Sequence, residues 1–252
     1  MDSSLADDIR YKMDPVLWCR EVQGWEPDEW QAKFLRSNAR QVALCCARQT
    51  GKSSVVAVRV AHRMRFRPGY FVLCVAQSDR IALELFNKKI KPALDKCGEM
   101  QDASKENLHE VIIPNGSRCV CVPSNEDTIR GFSALNEVIE DEAAMVDDAV
   151  YAAVRPMLMT TKGTIVLMST PKGKMGHFYE AWHGHGDWDR YTVTASACPR
   201  ADVEFLASEK KELGDWLYRQ EYECEFISDL TAVFPDEQIR KAMDPEGEVF
   251  TW

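Results

Sequence analysis

No C-x-x-C pair occurs among the nine cysteines of this 252-residue chain, and the count is odd. A disulfide framework or zinc knuckle leaves paired spacings, so Cys45, Cys74, Cys119 and Cys121, each inside an apolar run, read as small core side chains in a reducing compartment. Cys119 and Cys121 share one strand face, and His183 and His185 lie in a Gly-rich stretch without a second ligand pair, so neither group reads as a zinc site. No apolar stretch approaches the roughly 18 residues that span a bilayer. The opening Met1-Asp2-Ser3-Ser4 lacks the basic-then-apolar start of a secretory signal. Together these absences predict a soluble intracellular protein without a membrane partner. Positive charge is also short: a net charge of −9 argues against a broad, permanently basic nucleic-acid surface. Local contact remains open through Arg59, Arg63, Arg65 and Arg67 or through Lys88, Lys89 and Lys91, each cluster being otherwise a solvated helix face. Repeats and low-complexity tracts are missing too, and the 45% apolar content supports a full core, so one large α/β domain with a small appended subdomain is expected.

Apolar runs rich in β-branched residues recur at 41–46, 70–76, 111–113, 118–122, 137–141, 164–169 and 190–194. Segments with helical spacing separate them at 28–37, 52–66, 79–96, 147–158 and 175–183. Strands alternating with helices imply a mostly parallel sheet covered on both faces. Pro114-Asn115-Gly116-Ser117 between two short strands predicts a hairpin, and so an antiparallel addition at one edge. Beyond Pro199 the pattern changes to two helices, 202–213 and 215–226, divided by Gly214. The expected organisation is a core over 1–198, a helical subdomain over 199–234 and a linker over 235–252.

Cys45-Cys46-Ala47-Arg48-Gln49-Thr50-Gly51-Lys52-Ser53 nearly matches the phosphate-binding pattern G-x-x-x-x-G-K-[ST] between an apolar strand and a helix. Backbone N–H groups at a helix N-terminus face phosphates, Lys52 reaches the β- and γ-phosphates, and the Ser53 hydroxyl coordinates Mg²⁺. Cys46 stands where the first glycine belongs, which would oblige the loop to turn there without a residue that easily takes positive φ.

A triphosphate and Mg²⁺ site also needs a strand-end acid for the metal and a base for the attacking water. Asp141 and Glu142, ending Asn136-Glu137-Val138-Ile139-Glu140, fill those roles. Glu137 and Glu140 occupy slots that a buried strand would give to apolar residues, so the strand is expected to be half exposed or the acid pair shifted by one. Ser169-Thr170-Pro171-Lys172-Gly173 ends the next strand, where small hydroxyls can sense a γ-phosphate. Arg48 within the loop can stabilise transition-state charge in cis, and Arg130 can do so across a subunit boundary, or simply pair with Glu126. Gln31, near a helix start, has the amide geometry that reads an adenine edge.

Taken in order, Trp30-Gln31, Ala47 to Ser53, Ile129-Arg130-Gly131, Val138 to Ala144 and Ser169 to Gly173, the chain resembles the large terminase subunit of tailed bacteriophages. The resemblance runs from about Trp18 to Phe234. It implies an N-terminal P-loop ATPase domain of the additional-strand, RecA-like type, ATP and Mg²⁺ as ligands, and double-stranded DNA as the object moved. It also implies a homo-oligomeric ring, a pentamer by the family's habit, with a portal protein and a small terminase subunit as partners in the host cytoplasm. Carried over residue by residue, Arg48, Gln49, Thr50, Gly51, Lys52 and Ser53 hold nucleotide, Asp141 holds metal, Glu142 is the base and Ser169-Thr170 couple hydrolysis to movement. Arg48 and Arg130 both match arginine-finger positions. The stretch Arg219 to Phe226 with Val233-Phe234-Pro235 looks like the family's lid helix and exit to an RNase H-like nuclease. No room for that nuclease remains, so the ATPase portion of a longer product is expected, without DNA cutting. A helicase-like repair ATPase and a non-catalytic assembly module stay as alternatives.

Overall fold

The computed structural model describes residues 5–228. Eight strands form one sheet: β1 Gln41–Cys46, β2 Phe71–Ala76, β3 Lys105–Glu106, β4 Glu110–Ile112, β5 Arg118–Pro123, β6 Glu137–Asp141, β7 Thr164–Ser169 and β8 Asp189–Val193. Their spatial order is β3-β4-β5-β2-β6-β7-β1-β8. In the spatial order from β5 through to β8 every pair is parallel, whereas β4 pairs antiparallel with β5 through the expected turn at 114–117 and antiparallel with β3 on its other side. Strand β7 lies between β1, which leads into the phosphate loop, and β6, which ends in Asp141. The acid and the loop are thus held one strand apart, at the carboxyl ends of neighbouring parallel strands, where α/β sheets bind ligands.

Two apolar layers cover the sheet. One contains Val42, Leu44, Val72, Ile139 and Val166 with the helix Lys52–Phe66, and the other contains Cys45, Leu73, Val138 and Leu167 with the helices Asp148–Val154 and Gly176–His183. Alternation along each strand sends successive residues to opposite layers, which is why both faces need apolar residues. Cys74 on β2 joins Cys119 and Cys121 on β5 in the first layer, the three sulfurs lying within 4.8 Å of one another. All three are at most 1% exposed, as expected of core side chains.

Helix boundaries differ from the sequence expectation in three places. The helix at 79–96 contains a wider i→i+5 turn at Phe86–Ile90, immediately before Pro92 in the segment Lys91–Lys96. Proline lacks an N–H and its ring collides with the carbonyl four residues earlier, which a widened turn relieves. The segment 147–158 tightens into a 3₁₀ turn at Arg155–Leu158, containing Pro156. The last helix stops at Glu221, five residues short, because Cys224 takes a left-handed φ of 59° and its thiol donates to the Val193 carbonyl of β8 at 3.3 Å. The remainder of the expected 199–234 subdomain and the 235–252 linker lie outside the described residues.

Strand β6 is buried along its whole length, not half exposed. Glu137 and Glu140 are 0% and 1% exposed, one in each layer. Arg59 and Arg63, offered above as DNA contacts or solvated residues, are buried instead: Arg59 Nε and Arg63 Nη1 donate to Glu137 Oε1 at 3.0 and 2.9 Å, and the Tyr70 hydroxyl donates to Oε2 at 3.3 Å. Arg59 also donates to the carbonyls of Phe34 and Ser37, tying the helix Glu29–Arg36 to the sheet. Burial alone would raise the Glu137 carboxyl, but the two guanidiniums overcome it and hold the group below its ordinary value.

Removing the carboxylate leaves two buried cations facing each other, so Glu137→Ala is expected to lose about 3–5 kcal/mol of stability, read as a lower urea midpoint. Because the folded value is depressed, this contribution is present above the unfolded carboxylate pKa and is lost as pH falls through the folded one. The acid-side fall of wild-type stability should therefore be shallower in Glu137→Gln.

Candidate nucleotide site

The phosphate loop does not turn at Cys46. That residue is fully buried as the last of β1, and the Ala47 N–H still donates to the Val193 carbonyl at 2.9 Å. The chain reverses later, with left-handed backbone at Gln49 (φ 61°) and Gly51 (φ 92°), while the Thr50 hydroxyl donates to the Ala47 carbonyl at 2.9 Å. The turning job of the missing first glycine has moved three residues downstream. The φ of Gly51 calls for glycine, and a Cβ there would also have to displace the Gln31 amide, whose Nε2 would lie at 2.8 Å. The loop then enters the helix Lys52–Phe66.

Lys52, Asp141, Glu142 and Ser169 converge beside that helix start. Lys52 Nζ lies 3.1 Å from Glu142 Oε1, close enough for an ion pair, although the ammonium makes no aligned hydrogen bond. The Ser169 hydroxyl donates to Glu142 Oε2 at 3.3 Å, and the Glu142 N–H donates to Asp141 Oδ1 at 3.0 Å. Glu142 has a left-handed backbone, φ 53°, unusual for a side chain of its size and common where a site over-determines geometry. Asp141 is 5% exposed, and burial followed by the charge of Glu142 pushes its carboxyl up to about 7 against the opposing pull of Lys52. Two acids meeting one lysine at the strand ends suit a divalent cation held by Asp141 and the Ser53 hydroxyl. Phosphate would find the loop N–H groups, the Gly51 approach and a lysine already buried for it.

An open cleft of about 730 Å³ surrounds these groups, lined among others by Arg48, Gln49, Gly51, Lys52, Ser53, Glu84, Lys89, Asp141, Glu142 and Arg200. A larger hollow of about 890 Å³ at the amino ends of β1 and β7, lined by Gln41 and Ile165, carries none of this chemistry.

The N-terminal model of T4-type terminase large subunits matches residues 44–241. The chain belongs to the terminase large-subunit family. It is 26% identical to the large subunit of Thermus virus P23-45 over 252 residues, which is 85% of this chain and 51% of that one. With the large subunit of Escherichia phage T5 the figures are 26% over 232 residues, 87% and 52%. The chain thus spans about half the length of the curated relatives it matches. The large terminase ATPase domain of Thermus phage P74-26 shares the fold with a TM-score of 0.73 at 24% identity, covering 82% of this chain and 97% of that one. The large terminase of another thermophilic bacteriophage, solved in complex with ADP, gives 0.64 at 10% identity, covering 80% and 54%.

Against the residues expected for a terminase, the structure brings together Arg48, Gln49, Gly51, Lys52, Ser53, Asp141 and Glu142 in the cleft, with Ser169 and buried Thr170 behind them. Gln31 is buried rather than exposed, and its Oε1 accepts from the Asp28 N–H at 2.8 Å in a capping box. Arg48 lines the cleft but is already paired, its Nε donating to Glu221 Oε2 at 2.9 Å. Arg130 is not in the cleft. It pairs with Glu126, the bland alternative, in a separate groove with Phe132, Ala149 and Pro156.

Sequence reading missed Arg200, Glu221, Glu84 and Lys89 as cleft or cleft-rim groups. Arg200 forks onto both oxygens of Asp28 at 3.0 and 2.7 Å and donates to the Thr50 carbonyl at 3.3 Å. It therefore pins the capping helix and the phosphate loop to the segment that begins the helical pair. Lys89 donates to the Ser54 hydroxyl at 3.2 Å. No local motif marks either residue, although each is a cation within a short basic or turn segment.

Proposed function

We propose that this chain is an ATP-hydrolysing motor domain that drives translocation of double-stranded viral DNA into a procapsid. The observation that carries the reading is the meeting of Lys52, Asp141, Glu142 and Ser169 at the carboxyl ends of three neighbouring strands, beside a helix N-terminus. The loop N–H groups and Lys52 bind the β- and γ-phosphates, and Gln31 could read an adenine edge only by leaving its capping box. Ser53 and Asp141 are the residues that would hold Mg²⁺, which would supply positive charge to offset the charge developing on the phosphate. Binding competes for the lysine: once Lys52 turns to phosphate, Glu142 loses its ion-pair partner and is free to orient water. Ser169 stays hydrogen-bonded to the same carboxylate, so the base is tied to the strand whose end, Ser169-Thr170, passes the change onward. The helical pair after Pro199 serves as a lid, contributing Arg200 and Glu221 to the cleft rim. Arg48 stabilises the transition state in cis only after releasing Glu221, whereas Arg130 serves a neighbouring copy in a homo-oligomeric ring. A portal protein and a small terminase subunit complete the assembly in the host cytoplasm, and nuclease activity is not expected from these residues.

Calorimetry with ATP and Mg²⁺ tests the reading at its base. Wild type should bind, and Lys52→Ala should bind at least 10-fold more weakly, as expected when a charge-assisted contact worth about 1.5–3 kcal/mol is lost. Absent wild-type binding, or equal binding by both proteins, would instead support a non-catalytic assembly module.

A further inference from the structure

Glu140 has no part in the chemistry above, yet it is as buried as any residue of the core. It precedes Asp141 on β6 but projects to the other layer, among Val138, Val150, Val154, Leu167 and Phe178. A carboxylate in such surroundings is expensive, and valine or leucine would pack there without penalty. Its partner is His177, at the start of the helix Gly176–His183, whose Nε2 lies 3.0 Å from Glu140 Oε1 with both side chains at most 4% exposed. The other ring nitrogen, Nδ1, lies 2.8 Å from Asp148 Oδ1, and the His177 N–H donates to the same oxygen at 2.7 Å. Tyr151 stacks flat on the imidazole, 4.5 Å between centroids and 12° between planes. One ring thus joins strand β6, the helix Asp148–Val154 and the helix entered from Ser169-Thr170.

We infer that His177 is a positioning residue for hydrolysis, which through Glu140 fixes the end of β6 and hence the placement of Asp141 and Glu142 relative to the segment leaving Ser169-Thr170. The inference rests on the ATPase reading and adds a route by which that segment and the acid pair move together. Three features support it. Glu142 is held in left-handed backbone immediately after the strand, so its carboxylate direction follows any twist of β6. Six residues separate Thr170 from His177, a short connection between the hydroxyl sensor and the ring. The imidazole and Glu140 approach within ion-pair range without hydrogen-bond alignment. A small turn of either element therefore makes or breaks the bond, as a two-position link requires. A misplacement near 1 Å at reacting groups can cost about 100-fold in rate, which is the scale on which such a link acts.

The test compares the full-length wild type, His177→Phe and the double variant Glu140→Leu with His177→Phe, measuring steady-state ATP hydrolysis and thermal melting. Phenylalanine keeps the stack on Tyr151 and removes both ring contacts. The double variant replaces a buried polar pair by apolar groups of similar volume, so it should recover the melting temperature lost in the single variant. A positioning role predicts kcat about 10- to 100-fold below wild type in both variants, with KM for ATP within about threefold of wild type, regardless of the recovered stability. A double variant that regains kcat together with its melting temperature would show a packing role and overturn the link, as would unchanged kcat in His177→Phe. Wild type that turns over no ATP would defeat the ATPase reading itself, and the link with it.

Discussion

Glu142→Gln is expected to hydrolyse ATP about 10² to 10⁴ times more slowly than wild type, the usual worth of a positioned general base, while binding ATP at least as tightly. The amide keeps the shape of the side chain and its contact with the Ser169 hydroxyl, so the loss isolates proton acceptance. Binding is preserved for a second reason. Glu142 holds Lys52 at 3.1 Å, and a neutral side chain no longer competes with phosphate for that lysine. Single-turnover hydrolysis and equilibrium titration with ATP, on the same preparation, separate the two effects. A fall in kcat with KM unchanged or lowered is the signature of a group acting only in the transition state. Wild-type turnover in the variant would place the base elsewhere. Asp141 is the neighbouring acid, but it is 5% exposed and its Oδ1 already accepts from the Glu142 N–H, which leaves Glu142 the more open of the two to a water.

Much of this site was legible because its chemistry is local in sequence. Strand, loop, lysine and serine occupy one continuous stretch, and the acid pair and the hydroxyl turn each end a single apolar run. What stayed hidden depends on partners far along the chain. Glu137 looked out of place in a buried strand because its counter-charges, Arg59 and Arg63, come from a helix 78 and 74 residues earlier. The same two arginines looked like surface charge for the same reason. Arg200 meets Asp28 across 172 residues and Arg48 meets Glu221 across 173, so nothing in either neighbourhood announces the pairing. Cys46 misled differently: the motif predicts a turn at its first position, whereas β8 keeps pairing with β1 through that residue and defers the turn to Gln49. Helix ends were misplaced where tertiary contacts overrule propensity, as at Glu221, where the next residues return to the sheet.

The two arginines separate cleanly in a mixing experiment. Arg130 lies in a groove of its own, paired with Glu126 and apart from the cleft, so within one copy it has no route to the Lys52 site. Arg48 lines the cleft and needs only to exchange Glu221 for phosphate. Loss of an arginine finger is worth about 10³ to 10⁵ in rate, and either substitution to alanine should approach that range. Arg130→Ala should also remove the more-than-linear rise of specific activity with protein concentration that a trans contribution produces. Mixing then distinguishes the two residues. Arg130→Ala subunits retain an intact base and lack only the donated arginine, and Glu142→Gln subunits can donate Arg130 while lacking the base. A mixture of these two inactive proteins should regain activity, because a Glu142→Gln neighbour completes the Arg130→Ala cleft. Arg48→Ala mixed with Glu142→Gln should stay inactive, since both defects lie in the same cleft and neither copy can supply the other's missing group. Failure of the first mixture, at concentrations where wild type is fully active, would remove Arg130 from the chemistry and leave Arg48 as the finger.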